Sequence, residues 1–137
     1  GMMAAFSQAS SESIQVFDVK GRYMFKHYFQ QDEIFNRIKE YYNPHQYRFE
    51  VPYDELTSVR EFLNGYNYEL VEVTAIEEFV VAVKKYTNHP NNIFKESIYH
   101  WGDDGYNCFL MIDQESVDQA VSEGAVPITS LDLSLNV

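Results

Sequence analysis

Hydrophobic and polar positions along this chain follow two periods, and the change from one to the other marks its elements. In QDEIFNRIKEYYN, residues 31–43, the apolar residues Ile34, Phe35, Ile38, Tyr41 and Tyr42 recur at helical spacing. Asp32 can cap the first turn, Glu33 stands four before Arg37, and Asn43 and Pro44 supply the stop. A second stripe, Leu56, Val59, Leu63 and Tyr66, runs through YDELTSVREFLNGY. Asp54 and Glu55 suit its positive end, and Gly65 offers a left-handed stop. A third helix begins near Asp113 in DQESVDQAVSEGA, turns Val117, Ala120 and Val121 inward and ends at Gly124.

Elsewhere the period is two. QYRFEV places Tyr47, Phe49 and Val51 on one face and Arg48 and Glu50 on the other, as a half-exposed strand should. YELVEV and FVVAVKKYT follow, joined by AIEE. In the latter, Phe79, Val81 and Val83 oppose Val80, Ala82 and Tyr86, so both faces need cover, which marks a central strand. SIYHW and YNCFLMI flank GDDG and predict a hairpin. A three-residue loop with a bulge sets His100 opposite Cys108 and Tyr99 opposite Phe109; a two-residue Asp104-Gly105 loop sets His100 opposite Phe109 and Trp101 opposite Cys108. The pattern allows both. IQVFDVKGRYMFKHYF, residues 14–29, reads either as two strands around Lys20-Gly21 or as a strand followed by helical turns.

Together these elements predict an α+β fold: an antiparallel sheet with two or three helices mainly on one face. From 47 to 87 the order is strand, helix, strand, strand, which is partly ferredoxin-like and calls for a right-handed crossover, before the chain departs into a hairpin and a helix. Residues 1–12 are expected to form a flexible tail, with Gly1 before Met2 an expression scar, and 13–137 a single domain.

VFDVKGRYMFKHYF, QYRFEVP and NCFLMIDQESVDQAVSEGA resemble small, acidic, uncharacterised proteins of halophilic archaea. The resemblance spans nearly the whole chain after the tail. It implies an acidic cytoplasmic protein and carries no catalytic motif and no activity with it.

Charge narrows the choice of partners. A formal net charge of -11 opposes long-range attraction to nucleic acid or anionic lipid, both of which need clustered Lys and Arg. The 11 Tyr, 10 Phe and single Trp form a heavy aromatic load that has to be spent in a core or on an interface. A single cysteine, Cys108, excludes an intrachain disulfide and any CxxC zinc spacing, in keeping with a reducing cytoplasm. No apolar run is long enough to span a membrane and no secretory signal opens the chain, so a soluble intracellular protein is expected, with no membrane partner.

Few places carry candidate chemistry. In one hairpin register His100 and Cys108 face each other as a thiolate–imidazole pair; the plainer reading is a small hydrophobic thiol in a core. Asp103 and Asp104 can hold a hard cation or act as paired acids, although turn geometry alone accounts for two aspartates there. In a ferredoxin-like order the strand starting at 47 neighbours the strand ending near Tyr86, which would bring His45 and His89 together with Asn43, Asn88 and Asn91 as a ligand site; otherwise these are two surface loops. KGRYMFKHYF interleaves Lys20, Arg22, Lys26 and His27 with Tyr23, Phe25, Tyr28 and Phe29, as RNA-binding strands do, but Arg22 stands where such a strand wants an aromatic. A buried strand or helix with cations reaching outward is the plainer reading.

No cofactor is indicated and no metal site is expected. The expected function is a non-catalytic ligand-binding or regulatory module; the alternatives are a small hydrolase-like enzyme and, third, an RNA-binding module through residues 20–29. Self-association is also expected. Apolar residues on both parities of the hairpin predict a homodimer through an aromatic sheet face formed by Tyr99, Trp101, Phe109 and Met111. The competing outcome is that residues 14–29 fold over that face within one chain.

Overall fold

The computed structural model describes residues 11–137, so the tail expected over 1–12 lies outside the described residues as far as position 10. Its proposed end is too late: Glu12 already belongs to the first strand. Residues 14–29 resolve into two strands, β1 (Glu12–Val19) and β2 (Arg22–Phe25). Lys20 and Gly21 both take positive φ, 50° and 84°, which gives the tight turn a right-twisted hairpin prefers.

The strands divide between two sheets. One is assembled in the order β3 (Tyr42–Asn43), β4 (Arg48–Val51), β2, β1, β5 (Tyr68–Glu72). The other runs β7 (Ser97–Asp103), β8 (Tyr106–Met111), β6 (Val80–Lys84), β9 (Val126–Pro127). The chain crosses from the first to the second through a 3-10 turn at Ile76–Phe79. As expected, β6 is a central strand, lying between β8 and β9.

The class is α+β, but the ferredoxin-like neighbours do not form. Strands β4 and β5 are parallel members of one sheet with β2 and β1 between them, and β6 belongs to the other sheet. The local pattern could not show this. The parallel pairing of β1 with β5 depends on the early hairpin inserting into the middle of the first sheet.

Alternation along β1 explains the layering. Ile14 and Val16 join a core with Ile34 and Ile38 of α1 (Asp32–Ile38) and Leu56, Val59 and Leu63 of α2 (Leu56–Asn64). Phe17 and Val19, with Met24 of β2, enter a second core between the sheets, against Val80, Ala82, Trp101, Cys108 and Leu110. The far face of the second sheet presents Val81, Val83, Phe109 and Met111 to Val117 and Ala120 of α3 (Gln114–Ser122). Four layers result: helices, sheet, sheet, helix.

This arrangement removes the basis for the expected dimer face. Trp101 is 8% exposed, while Phe109 and Met111 are each 1% exposed and face the α3 side. The competing outcome is met only in part: Phe17, Val19 and Met24 from residues 14–29 cover Trp101 on the inner face of the hairpin, while α3 covers Phe109 and Met111 on the other. Burying each such side chain contributes about 1.5–3 kcal/mol, which an exposed face would forgo.

Several local details also differ from the pattern. Asp32 lies inside the first turn of α1, whose N-cap is Gln31 without a side-chain bond, so its charge serves the helix dipole alone. Gly65 has φ -64°, and the left-handed residue after α2 is Asn67 at 66°. The Asp113 cap is as expected: its carboxylate accepts from the Ser116 N–H at 2.7 Å, and Gly124 takes φ 109° beyond the helix. Among the described residues, no helix is long and apolar enough to cross a membrane.

Candidate functional site

The hairpin register decides the fate of the opening candidates. Trp101 pairs with Cys108 and His100 with Phe109, through a two-residue turn in which Asp104 and Gly105 have φ 44° and 84°. Opposed residues share a face and successive residues do not, so His100 and Cys108 lie on opposite faces of the sheet. Cys108 is fully buried in the inter-sheet core; burial first, and the Asp103 charge second, push its thiol up to about 11. It cannot pair with His100. Asp103 and Asp104 shape the turn and line no described cavity together with either residue.

His45 and His89 do not meet either, because the strands expected to bring them together belong to different sheets. His89 instead sets its ring against Phe94 at 5.3 Å and Phe109 at 5.8 Å, and Asn88 borders a separate depression with Lys84, Thr87 and Glu123. What the fold does bring together is His45 and His100, one from each candidate set. They line a cavity of about 540 Å³ between the edges of the two sheets.

This cleft exists because β7 is an edge strand. An edge leaves backbone carbonyls without ladder partners. A bulge between Ser97 and Tyr99 interrupts the regular pairing there. Two cations from the first sheet cap the outward groups: Lys26 Nζ donates to the carbonyls of Ser97 at 2.9 Å and Phe94 at 3.3 Å, and Arg48 donates to the carbonyl of Ile98 at 2.9 Å. Arg48 also lies over the Tyr99 ring, 5.7 Å from its centroid. These contacts clasp the sheets together beside the cleft and explain why Lys26 and Arg48 are partly buried while Lys20 and Arg22 stay exposed.

The opposite wall comes from the β3–β4 connection. Asn43 uses both ends of its amide: Oδ1 accepts from the backbone N–H groups of His45 and Gln46 at 2.9 and 3.2 Å, and Nδ2 donates to Glu50 at 3.0 Å. Tyr47, expected to point inward with Phe49 and Val51, has φ 56° and leaves the strand, so that it lines the cleft with 65% of its surface exposed. Phe94, 54% exposed, faces the same space with Lys95. Its ring lies edge-on to His100 at 5.6 Å.

Among the described residues, no Asp or Glu lines this cavity, in a chain with 21 of them. The carboxylates that act on Arg48 and Lys26 are already occupied. Glu50 accepts from Arg48 Nε at 2.8 Å and from Asn43; burial works against its charge, but these bonds outweigh it and hold the carboxyl below its usual range. Glu96 accepts from Ser116 Oγ at 3.1 Å. Lys26 is half-buried, and desolvation lowers its pKa, opposed by Glu96 and assisted by Arg48. His100 is also held below its ordinary 6.5, by desolvation first and by Arg48 second.

Lys26 was visible in the sequence only as part of an RNA-like stretch. That stretch does not offer its rings to bases: Phe25 and Phe29 are buried, Tyr23 is half-buried, and only Tyr28, at 83%, stands free. Phe94 and Lys95 escaped notice altogether, although a Phe between turn-rich asparagines and a lysine was the available signal. Among the described residues, no three His, Cys, Asp or Glu side chains group as a metal site would require. No protein-family model, curated protein or solved structure matches the chain.

Proposed function

We propose that the protein is a small-molecule binding module whose cleft takes a compact anion with a planar apolar part. One observation carries this reading: a cavity free of carboxylates gathers Lys26, Lys95, His45 and His100 around the exposed rings of Tyr47 and Phe94 in an otherwise acidic chain. Cations supply attraction to the charged end of such a ligand, and the rings supply flat contact for its body. Catalysis has less support. Among the described residues neither cleft imidazole hydrogen-bonds to a carboxylate that would orient it, and Cys108 lies behind the sheet.

NMR titration with naphthalene-2-carboxylate, against the uncharged carboxamide, tests the proposal. The carboxylate is expected to shift the backbone amides of residues 45–47 and 94–100 at lower concentration than the carboxamide. Equal responses to the two, or shifts scattered over the surface, would remove it.

A further inference from the structure

The Lys26 amine differs from the chain's paired cations. Arg48 and Arg60 each hold a carboxylate, Glu50 at 2.8 Å and Glu72 at 3.1 Å. Lys26 has no carboxylate within ion-pair distance among the described residues, and its Nζ donates to two backbone carbonyls only, both contributed by residues 94–97. A tetrahedral nitrogen bonded to Cε and directing two hydrogens at those carbonyls has one position left. Lys26 lines the cleft. We infer that the Lys26 amine condenses with the aldehyde or ketone carbonyl of an anionic ligand held in this cleft, forming a reversible imine. The inference rests on the cleft being a ligand site, as proposed above.

The chemistry needs no further reagent. The neutral amine adds its lone pair to the carbonyl carbon, the carbonyl oxygen takes up the proton released from nitrogen, and the carbinolamine loses water as the C=N bond forms. One water leaves, one amine and one carbonyl are consumed, and nothing is oxidised or reduced. Neutral amine is the reacting form, and a desolvated lysine near other cations supplies it more readily than an exposed one. The charged groups around Nζ act in both directions: Arg48 and the desolvating cleft favour the neutral amine, while Glu96 favours the ammonium. His45 and His100, in the same cavity, are placed to pass protons during dehydration, and Lys95 attracts the anionic end.

Pyridoxal 5′-phosphate is a suitable probe, because it combines a flat ring, an anion and an aldehyde. The native protein would be treated with a substoichiometric amount, reduced with borohydride and mapped by peptide mass spectrometry. Lys26 is expected to carry more label than the other five lysines together. Lys26→Arg, which keeps donors for the two carbonyls, should lose that label without any rise in label at the other five lysines. Label spread over the exposed lysines, or a share of label at Lys26 no greater in the native protein than in protein unfolded before treatment, would overturn the inference. Should naphthalene-2-carboxylate shift the cleft while Lys26 stays unlabelled, the imine falls and the binding site stands. If neither responds, both fall.

Discussion

The β1–β2 and β7–β8 hairpins turn in the same way and end in different roles. Each places a non-glycine residue and then a glycine at positive φ, Lys20-Gly21 and Asp104-Gly105. The first hairpin inserts into the middle of its sheet, with β5 beside β1 and β4 beside β2, and sends side chains into two cores. In the second, β7 has no outer neighbour and carries a bulge at Ser97–Tyr99. Enclosure consumes the hydrogen bonds and both faces of the first hairpin. Exposure along the second leaves carbonyls that recruit Lys26 and Arg48, and the cleft follows from that recruitment. Turn chemistry therefore sets the hairpin, while its neighbours set whether it becomes scaffold or site.

The largest expected effect tests the enclosed side of this contrast. Phe17→Ala empties a fully buried position between the sheets and should cost about 3–5 kcal/mol in urea unfolding. Phe94→Ala, at the rim of the cleft, should change stability by roughly 0.5 kcal/mol, as surface substitutions do, and weaken naphthalene-2-carboxylate binding instead. Similar stability losses for the two would break the division into scaffold and site.

The turns should respond alike. Gly21→Ala and Gly105→Ala each introduce a Cβ with nothing within 4 Å but at φ 84°, so the cost is backbone strain without a clash. Each should lose about 1–2 kcal/mol by the same unfolding measurement. A much larger loss at Gly105 would show that the edge hairpin depends on its turn more than the central one does.

The smallest effect is electrostatic and confined to the cleft. His100 has a folded-state pKa below the ordinary 6.5, so as pH falls through 6.5 the unfolded chain takes up a proton first and the His100 contribution to stability declines. A bound anion reverses the preference by favouring the imidazolium. Affinity for naphthalene-2-carboxylate should therefore rise as pH falls below 6.5, by about twofold to fivefold, the range an exposed ion pair of roughly 0.4–1 kcal/mol provides. His100→Gln should flatten that rise in the same NMR titration. An unchanged profile would place the charge response elsewhere in the cleft.

Local chemistry determined a good deal of this molecule from sequence alone. The α2 stripe, Val117 and Ala120 of α3, the Asp113 cap, Gly124 beyond α3, the alternation of Phe49 and Val51 and the central position of β6 all depend on residues within a few places of one another, where helix and strand periods act directly; Val121, expected to face inward with them, is 37% exposed. The turn at Asp104-Gly105 was readable as a turn, but not its register, because one residue of slip exchanges the faces on which His100 and Cys108 lie. Pairings between distant segments decided the rest. The parallel contact of β1 with β5 split the strands into two sheets, and this buried Trp101, separated His45 from His89 and left β7 on an edge. The site shares that origin. His45, Lys26 and the pair Phe94 and His100 come from three stretches with no common spacing, and what joins them is the need of unpaired carbonyls for donors, which arises only after the sheets have formed.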